Sequence, residues 1–124
     1  MPVISGATAP IFHLSGAVFT GLAAPSRGAR ETSVWRVRIE PNTPAAEHSL
    51  DREEVIVAIA GRAVAQFDDE HHEVQAGDGL VVPAHQRFSL ANPFDAPFEA
   101  VAVLPVGGRA AMLGGEPFVP PWTE

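Results

Sequence analysis

Glycine and proline cut this sequence into short pieces, and that punctuation constrains its fold more than any other feature. Eleven Gly and twelve Pro are spread through 124 residues, and no segment keeps a helical apolar period for as many as about ten residues. The runs between the breaks have strand length. Pro10–Leu14 and Ala17–Leu22 read as two short strands split by Ser15-Gly16, and Ala23–Thr32 as a loop. Ser33–Glu40 sets Trp35, Val37 and Ile39 against Arg36, Arg38 and Glu40, the alternation of a half-buried strand. Arg62–Phe67, His71–Gln75, Leu80–Val82, Arg87–Ala91 and Phe98–Leu104 follow, separated by turns such as Ala76-Gly77-Asp78-Gly79 and Asn92-Pro93. Many short strands with turns at even spacing predict a single all-β domain, a sandwich or barrel.

Composition narrows the function. A net charge of -7 and a pI near 5.1 argue against a phosphate-binding face, so no nucleic-acid partner is expected. Cysteine is absent, which removes disulfides, thiolate metal sites and Cys nucleophiles together. Apolar runs such as Val55–Ala60 are far too short to span a bilayer, and no basic residue precedes Arg27, so neither a membrane partner nor a secretory signal is expected. A cytoplasmic location is the default. All basic residues are Arg, and with abundant Ala, Gly and Pro this is the composition of a GC-rich bacterial genome. No GxSxG elbow, P-loop or dinucleotide fingerprint occurs.

The stretch Asn42–Gly61 reads as a loop followed by a strand that begins polar and turns apolar. On one continuous strand His48, Leu50, Glu54, Ile56 and Ala58 share a face. The spacing from Asn42 through His48, Leu50 and Glu54 to Gly61 matches G(X)5HXH(X)3-4E(X)6G, with Asn42 in place of the first Gly and Leu50 in place of the second His. With fifteen residues between it and Gly61, Gly77 opens a second match: Gly77, Pro83 and Asn92 fit G(X)5PXG(X)2H(X)3N, with His85 at the second Gly position and Phe88 at the His position. The two motifs, in this order, make the region from Ser33 to Leu104 resemble the cupin family.

That resemblance implies a double-stranded β-helix, or jelly-roll barrel. The residues outside it read as an N-terminal arm with short strands (1–32) and an irregular tail (105–124), whose apolar bulk at Phe118, Pro120, Pro121 and Trp122 packs on the barrel or on a partner; the resemblance covers the barrel core (33–104). It also implies a homodimer. Typical members hold one divalent transition metal with two His and one Glu of the first motif and the His of the second, a donor set suited to such ions. Carried over, only His48 and Glu54 remain; Leu50 and Phe88 cannot ligate. No tightly held metal is therefore expected. The alternative is a rebuilt site of His48, Glu54 and His85, against which stands the three-residue offset of His85 from Phe88.

Three functional readings follow. In the first, the lumen binds a small organic molecule, with Leu50 and Phe88 as apolar walls and His48, Glu54, His85, Arg36 or Arg38 as polar handles. In the second, the chain is an enzyme: His48 and Glu54 perform metal-free acid/base chemistry (isomerisation, dehydration or cyclisation), or the rebuilt metal site acts. In the third, the barrel is a structural or interaction module. Whether Arg36 and Arg38 point inward or outward stays open, since either face of their strand can be the buried one.

Overall fold

The computed structural model describes all 124 residues. Eleven strands make two antiparallel sheets, with no α-helix and two single 3-10 turns at Pro25–Arg27 and Pro121–Thr123. No helix is long and apolar enough to cross a membrane. The strands are β1 Ile11–Leu14, β2 Ala17–Ala23, β3 Thr32–Ile39, β4 His48–Leu50, β5 Glu54–Ala60, β6 Arg62–Phe67, β7 Glu70–Gln75, β8 Gly79–Val82, β9 Phe88–Ala91, β10 Phe98–Pro105 and β11 Ala110–Met112. One sheet runs β1-β2-β3-β10-β5-β8 and the other β11-β4-β9-β6-β7. The architecture is the jelly-roll barrel expected from the two motifs.

Alternation assigns the faces. Trp35, Val37 and Ile39 of β3 are buried while Arg36 and Arg38 are exposed. On β10, Phe98, Ala100, Ala102 and Leu104 are buried. Ala58, Ala63, Ala65, Ala100 and Ala102 are small and inward-facing, and there the sheets close into the core cluster with Val74 and Phe98. On the outer face of the six-stranded sheet, Val57, Ile59 and Val81 remain exposed.

The region from His48 to Ala60 differs from the single strand read in the sequence. His48–Leu50 forms β4 in the five-stranded sheet, residues 51–53 turn, and Glu54–Ala60 forms β5 in the other. His48 and Glu54 thus come from opposite sheets instead of one shared strand face. The tail carries a strand as well: β11 pairs with β4, and Ala110 bridges to Phe118.

Several of the motif positions that survive shape backbone. Gly61 sits at φ +73° and Gly77 at +95°, the left-handed region that glycine enters without steric cost. Asn42 and His85, which stand where the family pattern has glycines, also have positive φ, +58° and +67°; Asn and His are among the non-glycine residues most often found there. The His85 amide donates to the Leu50 carbonyl at 2.6 Å, so this turn ties the end of β4 to the chain entering β9. Asn92 is fully buried. Its Nδ2 donates to the Ile39 and Ala96 carbonyls at 3.1 and 2.8 Å, and its Oδ1 accepts from the Phe94 amide at 3.0 Å.

Gly61 is the tightest of these positions, because an added Cβ would collide with the backbone carbonyl oxygen of Pro97. Gly61→Ala combines that collision with a left-handed φ. It is expected to destabilise the fold by more than about 2 kcal/mol, against less than about 1 kcal/mol for Asn42→Gly. Urea denaturation of both variants checks this; equal effects would contradict it.

Candidate functional site

Between the sheets lies a cavity of about 740 Å³. Its wall is built from β1, β2, β3 and β5 of one sheet, from β4, β9 and β11 of the other, and from the tail. Of the chain's seven Phe and two Trp, Phe12, Phe19, Phe88, Phe118, Trp35 and Trp122 all line it. Trp122 stacks on Phe19 with ring centroids 3.8 Å apart and planes 3° from parallel. That stack closes one wall, and the tail is held beneath it: Ser33 Oγ donates to the Thr123 carbonyl at 3.2 Å, and Ser26 Oγ to the Glu124 carbonyl at 2.5 Å.

Polar groups reach the cavity at few points, and no arginine is among them. His13, Ser15, Thr43, His48 and Glu54 contribute. Glu54 opens β5 and is 5 % exposed as a residue, and no hydrogen-bond or ion-pair partner meets its carboxyl. Its burial alone raises the carboxyl pKa from an ordinary 4.5 to about 8, since a low-dielectric wall penalises the charged form. No arginine lines the cavity to neutralise it.

His48 leads β4, opposite Phe88 in the register, with ring centroids 4.4 Å apart. Its Nδ1 lies 2.9 Å from the Ala46 carbonyl oxygen. A carbonyl only accepts, so Nδ1 carries the proton and Nε2 of the neutral ring keeps its lone pair. Burial pushes the imidazole pKa below its ordinary value, outweighing the opposing pull of the Ala46 carbonyl. Near neutral pH the cavity therefore holds a protonated carboxyl and an unprotonated imidazole.

The other candidates separate cleanly. Leu50 and Phe88 line the cavity, 4 % and 2 % exposed. Arg36 and Arg38 require correction: they face outward, with Glu99 3.8 and 3.9 Å away and Glu40 2.8 Å from Arg38. Trp35, Val37 and Ile39 turn the apolar face of β3 inward because those side chains lose water contact on packing. His85 also requires correction: it is exposed at its left-handed turn and forms no part of the cavity wall. His71 and His72 are exposed on β7. Sequence reasoning left the aromatic wall unassigned. Its one legible signal was the apolar bulk of Phe118, Pro120, Pro121 and Trp122 in a tail otherwise lacking a pattern.

The cupin-domain family model matches residues 35–104. The chain belongs to the cupin family. Solved structures share its fold at low identity. The polyketide cyclase RemF from Streptomyces resistomycificus superposes with a TM-score of 0.77 at 15 % identity, covering 85 % of this chain and 79 % of that one. A sugar phosphate isomerase of the cupin superfamily from Silicibacter pomeroyi gives 0.75 at 19 %, covering 90 % and 81 %. A predicted oxalate decarboxylase from Thermotoga maritima gives 0.70 at 15 %, covering 84 % and 98 %. No curated protein sequence matches the chain.

The metal that the family pattern implies does not fit these residues. Two of its four donor positions carry the buried apolar side chains Leu50 and Phe88, and Phe88 packs its ring against the remaining imidazole. His85, the only proposed replacement, faces away. Nowhere does the structure gather three His, Cys, Asp or Glu side chains able to hold a metal ion.

The Glu54 carboxyl sets a pH dependence of stability. Below pH 4.5 it is protonated in both folded and unfolded chains, and its contribution is fully present. As pH rises from 4.5 towards 8 the unfolded chain ionises while the folded one keeps its proton, so stability falls by roughly 1.4 kcal/mol per pH unit from this group. His48 acts in the opposite direction, losing stability as pH falls below its ordinary 6.5, and is unchanged in Glu54→Gln. The variant is therefore expected to gain stability relative to the parent as pH rises from 5 to 8. Denaturation midpoints across that range check it, and a pH-independent difference would contradict it.

Proposed function

We propose that this chain binds a small, uncharged, largely apolar organic molecule in its barrel lumen without a tightly held metal, with His48 and Glu54 as its polar handles. The observation that carries the reading is the 740 Å³ cavity, walled by six aromatic residues and reached by one buried, unpartnered carboxyl. Drug-sized ligands occupy cavities of about 300–1,000 Å³ with mostly apolar walls and a few convergent polar groups. Flat aromatic walls favour a ligand with ring systems of its own.

Charge selects among the substrates of the structural neighbours. A sugar phosphate or oxalate is an anion, and its capture calls for a cation such as a bidentate arginine. No arginine lines this cavity, and the chain has no lysine. A neutral carboxyl and a neutral imidazole suit an uncharged ligand instead. In the homodimer that the family implies, a second copy would cover the outer face at Val57, Ile59 and Val81, which Arg36, Arg38 and Glu99 border with both signs of charge.

Both tryptophans of the chain lie in the wall, so intrinsic fluorescence reports occupancy without a label. Titration with 2-naphthol, a planar bicyclic phenol, is expected to give saturable quenching. His48→Ala is expected to weaken it at least about tenfold, the loss of roughly one polar contact, with an unchanged circular dichroism spectrum. Absence of saturable quenching, or equal affinity in the variant, would contradict the reading.

A further inference from the structure

The two handles differ in a way that simple binding does not require. Nε2 of His48 is an acceptor with a free lone pair, because Nδ1–H is committed to Ala46 O at 2.9 Å. Glu54 is a buried carboxyl whose proton has no acceptor within the protein. The two come from opposite sheets, β4 and β5, and line one cavity. Such a pair offers a bound molecule a base and an acid from two different strands of one largely apolar cavity. It arises where the family pattern would place a metal, once Leu50 and Phe88 have displaced the other two donors.

The geometry points to an activity: this chain enolises a bound, ring-containing carbonyl compound, with His48 Nε2 taking the proton from the carbon next to the carbonyl and the Glu54 carboxyl protonating the carbonyl oxygen. The inference rests on the lumen being a ligand site, as proposed above, and adds the substrate class and the reaction. The C–H bond breaks and its electron pair becomes the new C=C bond. The C=O π pair takes the proton of Glu54 and becomes the enol O–H. His48 is left as imidazolium and Glu54 as carboxylate, and the reverse step restores both. Nothing is oxidised or reduced, and no co-reactant is needed.

The walls support the same assignment. The Phe19–Trp122 stack and Trp35 provide flat faces for a bicyclic or larger ring system. The Ala46 carbonyl holds Nδ1–H of His48, and no cation in the cavity pairs with the buried Glu54 carboxyl, so an acceptor and a donor are what the two present to a bound molecule.

The test is hydrogen–deuterium exchange at C1 of 2-tetralone, a bicyclic ketone whose enol 2-naphthol resembles, followed by proton NMR in D2O near neutral pH. The full chain is expected to accelerate exchange well above an equal concentration of free imidazole. His48→Gln and Glu54→Gln each keep a hydrogen-bonding amide but cannot relay a proton. Each is expected to lose roughly a hundredfold or more of that rate, the usual worth of a positioned acid or base, at 2-tetralone concentrations that saturate the variant. Binding without accelerated exchange would overturn the inference and leave the binding reading standing. Exchange that survives in both variants would also overturn it. Neither binding nor exchange would overturn both.

Discussion

The fold turns on a small number of backbone positions that bend where most residues resist bending. Gly61 and Gly77 hold left-handed turns, Asn42 and His85 hold two more without being glycine, and the buried amide of Asn92 bonds the Ile39 and Ala96 carbonyls and the Phe94 amide. Each of those bonds is worth only about 1 kcal/mol net, but leaving such groups unpaired in the interior costs more. These positions fix where β4, β5 and β9 begin and end. They therefore decide which side chains look into the lumen.

Once the strands are placed, the chemistry of the lumen follows from two side chains. Leu50 and Phe88 occupy the positions of two family metal donors and are nearly inaccessible to solvent. They put apolar side chains into the cavity wall that Glu54 also lines, and burial there raises the Glu54 carboxyl pKa to about 8. Motif residues with backbone roles persist while half of the ligand set is gone. The chain has kept the turns of the pattern and altered its interior.

Much of the fold was legible in the sequence because period-two alternation and Gly/Pro turns are local signals, as Ser33–Glu40 and Ala76–Gly79 illustrate. The error at His48–Ala60 has a physical source. Three turn residues of ordinary polarity, Asp51, Arg52 and Glu53, do not announce that the chain changes sheets, and the even spacing from His48 through Leu50 to Glu54 leaves the parity argument unbroken. Strand alternation alone could not orient Arg36 and Arg38, since it shows that faces differ without showing which is inside. His85 stands at a family glycine position and takes its left-handed backbone, so a parity argument counted along a strand does not reach it. The aromatic wall joins β1, β2, β3 and the tail, segments far apart in the chain, and only closure of the barrel brings them together.

The central claim is that the interior of this barrel keeps Glu54 neutral where a family metal site would have it charged. The most direct measurement is a 13C NMR titration of side-chain carboxyls in protein labelled at glutamate, with Glu54→Gln to assign the resonance. The expected result is a Glu54 carbon in the protonated shift range at pH 7 that moves only near pH 8. A Glu54 resonance titrating at the ordinary 4.5 would contradict the account, because a carboxyl already charged in the lumen could neither donate a proton there nor favour an uncharged ligand.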